Sequence, residues 1–154
     1  MQQPQDSTPP LPKNIRLKGV IVAEAILRFM RLVVDLVDTD LEAFTVYFAV
    51  VAASTSHLLR DPQALALYAH DKPVPDNLRL GTTRRAVAES VGLPRETVRR
   101  KIAALVAQGH LVERDGMIST AGSILDQRRN REFVLGVLAE FERTAAMLKR
   151  AEEV

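Results

Sequence analysis

Apolar residues cover most of the circumference of the first patterned segment, residues 14–37. Ile21, Val22, Ile26, Leu27, Phe29, Met30, Leu32, Val33, Val34 and Leu36 dominate it. From Glu24 onward charge enters only at Glu24, Arg28, Arg31 and Asp35. Spacings of four, three and four stack these four residues in one stripe of a helix, and a helix so apolar elsewhere needs cover on several sides. Asp38-Thr39-Asp40 offers N-cap residues for a second helix over Leu41–Leu59. Arg60-Asp61-Pro62 breaks it, and a shorter helix over Pro62–His70 follows, with proline tolerated in its first turn. Pro73, Pro75 and Asn77 mark residues 71–80 as a connector.

The last 34 residues, 121–154, repeat apolar positions at three- and four-residue steps. Phe133, Val134, Val137, Leu138, Phe141, Ala145 and Leu148 predict one long helix over Ala121–Glu153 with a single apolar stripe. Arg131, Glu132, Glu140, Arg143 and Arg150 lie on its other side. Such a helix either lies on its own core or pairs with a second copy. Its length would overhang a small domain, so a homodimer joined through the N- and C-terminal helices is expected.

Between them, Gly81–Thr120 carries the informative pattern. Thr83 is placed to cap a helix over Arg84–Val91, and Gly92 stands where a helix end favours a left-handed residue. Pro94 opens a second helix, about residues 94–108, in which Val98, Ile102, Leu105 and Val106 form the buried stripe. Ala103, Ala104 and Ala107 keep its outer side low, and Gly109 ends it. Leu111–Arg114, the turn pair Asp115-Gly116, and Met117–Thr120 then predict a strand, a tight turn and a strand. A small residue, a glycine four later and a branched residue six later (Ala88, Gly92, Val98) form a helix-turn-helix pattern. The hairpin after it makes the unit a winged helix. The expected fold is therefore mainly α: a tail over 1–13, an N-terminal helical region over 14–80, a winged helix-turn-helix with a two-stranded wing over 81–120, and a C-terminal helix over 121–154.

Charge sharpens this picture. The chain carries only +2 in total, yet Arg79–Arg114 holds eight basic and three acidic residues, a local +5. A basic segment in an otherwise mildly acidic chain suits a polyanion such as double-stranded DNA, the alternative being a solvated helical face. Glu96 and Arg100 lie one turn apart on the side away from Val98 and Ile102. Arginine matches the two acceptors of guanine and glutamate accepts from the amino group of cytosine. Arg95, Glu96 and Arg100 are the expected base contacts. Thr83, Arg84, Arg85, Thr97, Arg99, Lys101 and Arg114 are the expected backbone contacts.

The stretch Thr83–Arg100, above all Arg95-Glu96-Thr97-Val98 with Arg100, resembles the DNA-binding module of the cyclic-AMP receptor/Fnr family. That resemblance implies that Arg95, Glu96 and Arg100 read base edges. The N-terminal half has no glycine-rich β-roll, and Lys101 stands where that family keeps an apolar residue. In layout, with apolar N-terminal helices, a winged helix and a long C-terminal helix, the chain resembles the MarR family, whose terminal helices build a dimer.

Other classes lose ground by composition. There is no cysteine, which suits a cytoplasmic location. His57, His70 and His110 lack ligand spacing, so no metal site and no cofactor is expected. No glycine-rich phosphate loop and no nucleophile beside a base is present, so no enzyme is expected, and Asp38, Asp40 and Glu42 read as helix-start charges. Ala43–Leu59 runs 17 residues without Asp, Glu, Lys or Arg, but Ser54, Thr55, Ser56 and His57 make its end polar. A buried helix rather than a membrane span is expected. A winged helix also serves protein contact in some proteins, so a protein–protein module is the alternative to a DNA-binding regulator. The apolar first and second helices fit either a small-molecule effector pocket or plain core packing.

Overall fold

A computed structural model describes residues 10–37, 40–68, 74–122 and 127–153. It is mainly helical, with one two-stranded antiparallel sheet. In chain order the elements are α1 (Ile15–Val37), α2 (Leu41–Thr55), α3 (Pro62–Tyr68), α4 (Arg84–Val91), α5 (Arg95–Ala107), β1 (Leu111–Arg114), β2 (Met117–Thr120) and α6 (Arg128–Glu152). Short 3-10 turns follow α2 at Ser56–Arg60 and precede α4 at Asp76–Leu78. The chain divides into two compact units, one of residues up to Leu32 with those from Val134, the other Val33–Phe133.

The larger unit is built around α2. Val46 and Val50 are fully buried among Val87 and Ala88 of α4, Val98, Ile102 and Leu105 of α5, Leu111 of β1 and Ile118 of β2. The alternating pattern of the strands sets which residues enter this core: β1 and β2 pair in the register Leu111↔Thr120 and Glu113↔Ile118. Thr82 adds an antiparallel bridge, exchanging two 2.8 Å backbone hydrogen bonds with Ile118. Phe44, Phe48 and Phe133 pack ring against ring at 4.4–5.9 Å and seat the second turn of α6 on α2.

Local chemistry explains the element ends. Asp40 accepts a 2.9 Å hydrogen bond from the Ala43 N–H and so caps α2, while Asp38 and Thr39 lie outside the described residues. The second helix ends at Thr55 rather than Leu59, its last stretch tightening into the 3-10 turn Ser56–Arg60. His70, expected in the short helix, also lies outside the described residues. The C-terminal helix starts at Arg128, not Ala121. Carbonyls that a helix would have used at Thr120, Ala121 and Gly122 instead accept from the guanidinium of Arg79.

In the smaller unit α1 and α6 run antiparallel. Asn14 Nδ2 donates to the Ala151 carbonyl at 2.8 Å, Lys18 pairs with Glu152 at 3.1 Å, and Arg28 Nε donates to both oxygens of Glu140 at 2.9 Å. The helices approach closely at Gly136, where a Cβ would lie 3.1 Å from Leu32 Cδ2. One side of the pair carries Glu24, Arg31 and Arg143 together with exposed Val20 and Leu27. The other carries exposed Val22 and Ile26 from α1 and exposed Val134, Leu138 and Phe141 from α6, with Phe29 and Phe141 rings 6.5 Å apart.

Candidate nucleic-acid interface

Two helices and a hairpin form the candidate interface. Thr83 is extended (φ −96°, ψ 155°) and its Oγ1 accepts from Ala86 N–H at 3.2 Å, starting α4. Gly92 takes φ +69° and its N–H donates to the Ala88 carbonyl at 3.0 Å, ending α4 in the left-handed conformation that a glycine adopts without strain. Leu93 packs against the core, and Pro94, as the N-cap of α5 rather than part of its first turn, leaves its carbonyl to accept from Val98 N–H at 3.0 Å. The hairpin turn places Asp115 and Gly116 at φ +52° and +75°, the pair of positive values that a type I′ two-residue turn requires.

On α5 the side opposite Val98 and Ile102 presents Glu96, Arg100, Ala103 and Ala107, all exposed. Arg95 and Arg100 are exposed and have no hydrogen-bond or ion-pair partner among the described residues. Arg99 grips Glu96 with both arms of its fork, Nε to Oε2 at 2.9 Å and Nη2 to Oε1 at 2.6 Å. Hydrogen bonding to Arg99 holds the Glu96 carboxyl below its ordinary range. Glu96 thus pairs with Arg99 three residues on, not with Arg100. Arg85 of α4 pairs likewise with Glu89 at 2.8 Å. Thr97 is half-buried on the flank of α5.

Three cations of the basic segment, two of them expected backbone contacts, are turned to internal work. Arg84 Nη2 donates to Glu113 of β1 at 2.6 Å, tying the start of α4 to the hairpin. The Arg79 side chain is only 8% exposed and donates to the Val74 carbonyl, Thr120 Oγ1 and the chain beyond β2. It is an interior brace, not part of a basic face. Lys101, expected on a phosphate, is 17% exposed, with Nζ 2.8 and 2.9 Å from the two oxygens of Asp40 and 3.3 Å from Glu42. The spacing held a signal for this: Lys101 stands three residues after Val98 and four before Leu105, at the edge of the buried stripe. Nothing comparable marked Arg79. Arg114, at the hairpin tip, is exposed and 3.8 Å from Asp76.

What remains on the surface is a short helix with guanidiniums, a carboxylate and small alanines pointing outward, beside a second helix start and a hairpin. Fixed donors and acceptors of this kind suit base edges and phosphates. No group of three His, Asp or Glu side chains able to hold a metal occurs among the described residues. Leu41–Arg60 is long and apolar enough by length and composition to cross a membrane, and within it Val46, Val50 and Ser54 are buried in the larger unit. The smaller unit has a groove of about 420 Å³ lined by Arg28, Arg31, Leu32, Ala139, Glu140 and Arg143. No family model, curated protein or solved structure matches this chain.

Proposed function

We propose that the chain is a sequence-specific double-stranded DNA-binding transcription regulator, a winged helix-turn-helix protein of MarR-like layout and Crp-like reading helix, that works as a cytoplasmic homodimer. The observation that carries this reading is the outer side of α5, where Arg95 and Arg100 stand exposed and unpaired beside Glu96. A helix of 13 residues is about 20 Å long and fits the major groove, which admits one helix. Exposed Ala103 and Ala107 let its axis come close to the groove floor.

In this reading Arg95 and Arg100 address guanine edges and Glu96 accepts from cytosine. Arg85, Arg99 and Arg114 reach phosphates, as do the first-turn N–H groups of α4 that Thr83 does not cap. The pairs Arg85–Glu89 and Arg99–Glu96 are exposed, so exchanging a carboxylate for a phosphate costs little. The apolar side of the α1–α6 pair, with Val22, Ile26, Leu138 and Phe141 exposed, is covered by the same side of a second copy, giving a two-fold symmetric reader. The reading needs no cofactor and no catalytic step.

Electrophoretic shift with genomic fragments at about 50 and 200 mM salt tests it. Retention of a subset of fragments, weakening with salt, is expected, with a footprint of two inverted half-sites about one helical turn apart. Equal retention of all fragments, or of none, overturns it in favour of a protein-contact module.

A further inference from the structure

Lys101 is the one cation of α5 drawn into the protein. Its ammonium group faces three carboxylate oxygens, two from Asp40 at 2.8 and 2.9 Å and one from Glu42 at 3.3 Å. Asp40 does two jobs with one side chain, since its Oδ1 also accepts the Ala43 N–H that caps α2. The second turn of α5 is thereby pinned to the first turn of α2. Otherwise the two helices meet in the apolar core, where Val46 and Val50 are buried together with Val98, Ile102 and Leu105. Apolar packing of that kind is non-directional and tolerates small rotations, whereas a hydrogen-bonded ion pair has a direction. Lys101 follows Arg100 directly, so any rotation of α5 that the pair forbids is a rotation that would re-aim Arg100 and Glu96.

We propose that Lys101 is a positioning residue that, clamped by Asp40, sets the rotation of α5 and thereby which base edges Arg100 and Glu96 reach, without touching DNA itself. This rests on the DNA-reading proposal above. The titration of the pair agrees with the geometry. Hydrogen bonding to Asp40 raises Lys101 above its ordinary value. Burial pushes the Asp40 carboxyl up, but the Lys101 and Ala43 hydrogen bonds with the nearby positive charge outweigh it, and the net direction is down.

Two substitutions isolate the clamp. Lys101→Met keeps the stem and its packing but removes the charge, and Asp40 and Glu42, 44% and 50% exposed, are not left as buried unpaired charges. Asp40→Asn keeps the cap, because asparagine caps as well as aspartate. The full chain and each variant are titrated by fluorescence anisotropy against a duplex selected by wild type and an unrelated duplex, across a salt series. Each single variant is expected to lower the preference for the selected duplex about tenfold, the size of one mis-set base contact. The double variant should lose no more than either single one, Lys101→Arg should recover part of the loss, and the salt slope should stay at the wild-type value. A slope smaller by about 1.8, about 0.9 for each copy of the dimer, with equal weakening on both duplexes would make Lys101 a phosphate contact and overturn the proposal. An unchanged preference in Lys101→Met overturns it while leaving the DNA-reading proposal intact. Wild type without preference for any duplex overturns both.

Discussion

The angle between α4 and α5 depends on one residue in an unusual conformation, and its cost can be worked out from the backbone. Gly92 sits at φ +69° and a Cβ built there meets no atom within 4 Å. Gly92→Ala therefore adds no clash, and its whole effect is conformational. Placing a non-glycine residue in the left-handed region costs about 1–2 kcal/mol. The reduced freedom of alanine in the unfolded chain returns about 0.4–1 kcal/mol. The difference leaves a destabilisation of about 1 kcal/mol. Asparagine tolerates the left-handed region better than alanine, so Gly92→Asn should lose about half as much. Urea unfolding followed by circular dichroism reads this as a lower midpoint at an unchanged slope. Gly109, at φ +76° and with equally open surroundings, provides an internal replicate. An alanine variant as stable as wild type would mean that the turn is not left-handed in solution. A loss above about 3 kcal/mol would mean that the site is crowded, since conformation alone does not reach it.

Other consequences concern assembly and pH. Leu138 and Phe141 are 53% and 66% exposed, and burial of each is worth about 1.5–3 kcal/mol. Leu138→Glu with Phe141→Glu should weaken self-association by at least about a hundredfold, read by sedimentation equilibrium, and a wild type that is monomeric refutes the dimer. Burial pushes the Tyr47 hydroxyl up from 10.0 to about 12, with Arg79 opposing the shift. The folded state then holds a proton that the unfolded chain releases, so stability is full below pH 10 and falls as pH rises toward 12. Tyr47→Phe should flatten that decline in urea unfolding at pH 9 to 12, and an unchanged decline would refute the burial of the hydroxyl.

The apolar stripe of α5 was legible because Val98, Ile102 and Leu105 repeat at helical spacing, and the same three residues are buried. Thr83, Gly92 and the Asp115-Gly116 pair were legible because each satisfies a local backbone need that few residue types meet. Partners among long charged side chains were not. Arg99 can reach either Glu96 or solvent from the same helix position, and only the folded geometry pairs it with Glu96. Lys101 and Arg79 meet partners 61 and 41 residues away, Asp40 and Thr120, and no local rule encodes a contact at that separation. The late start of α6 has the same origin, because Arg79 takes the carbonyls that precede it.

Whether α5 reads bases is decided by Arg100. The residue is exposed and unpaired among the described residues, so Arg100→Ala should leave thermal stability unchanged. Wild type and variant are each used to select duplexes from random sequence, and affinities for the winning duplex are compared. The expected result is one wild-type consensus, a loss of about 1–3 kcal/mol in the variant, and relaxed preference confined to one base position in each half-site. Random recovery of sequences by wild type, or a variant that selects the same consensus with the same affinity, would contradict it.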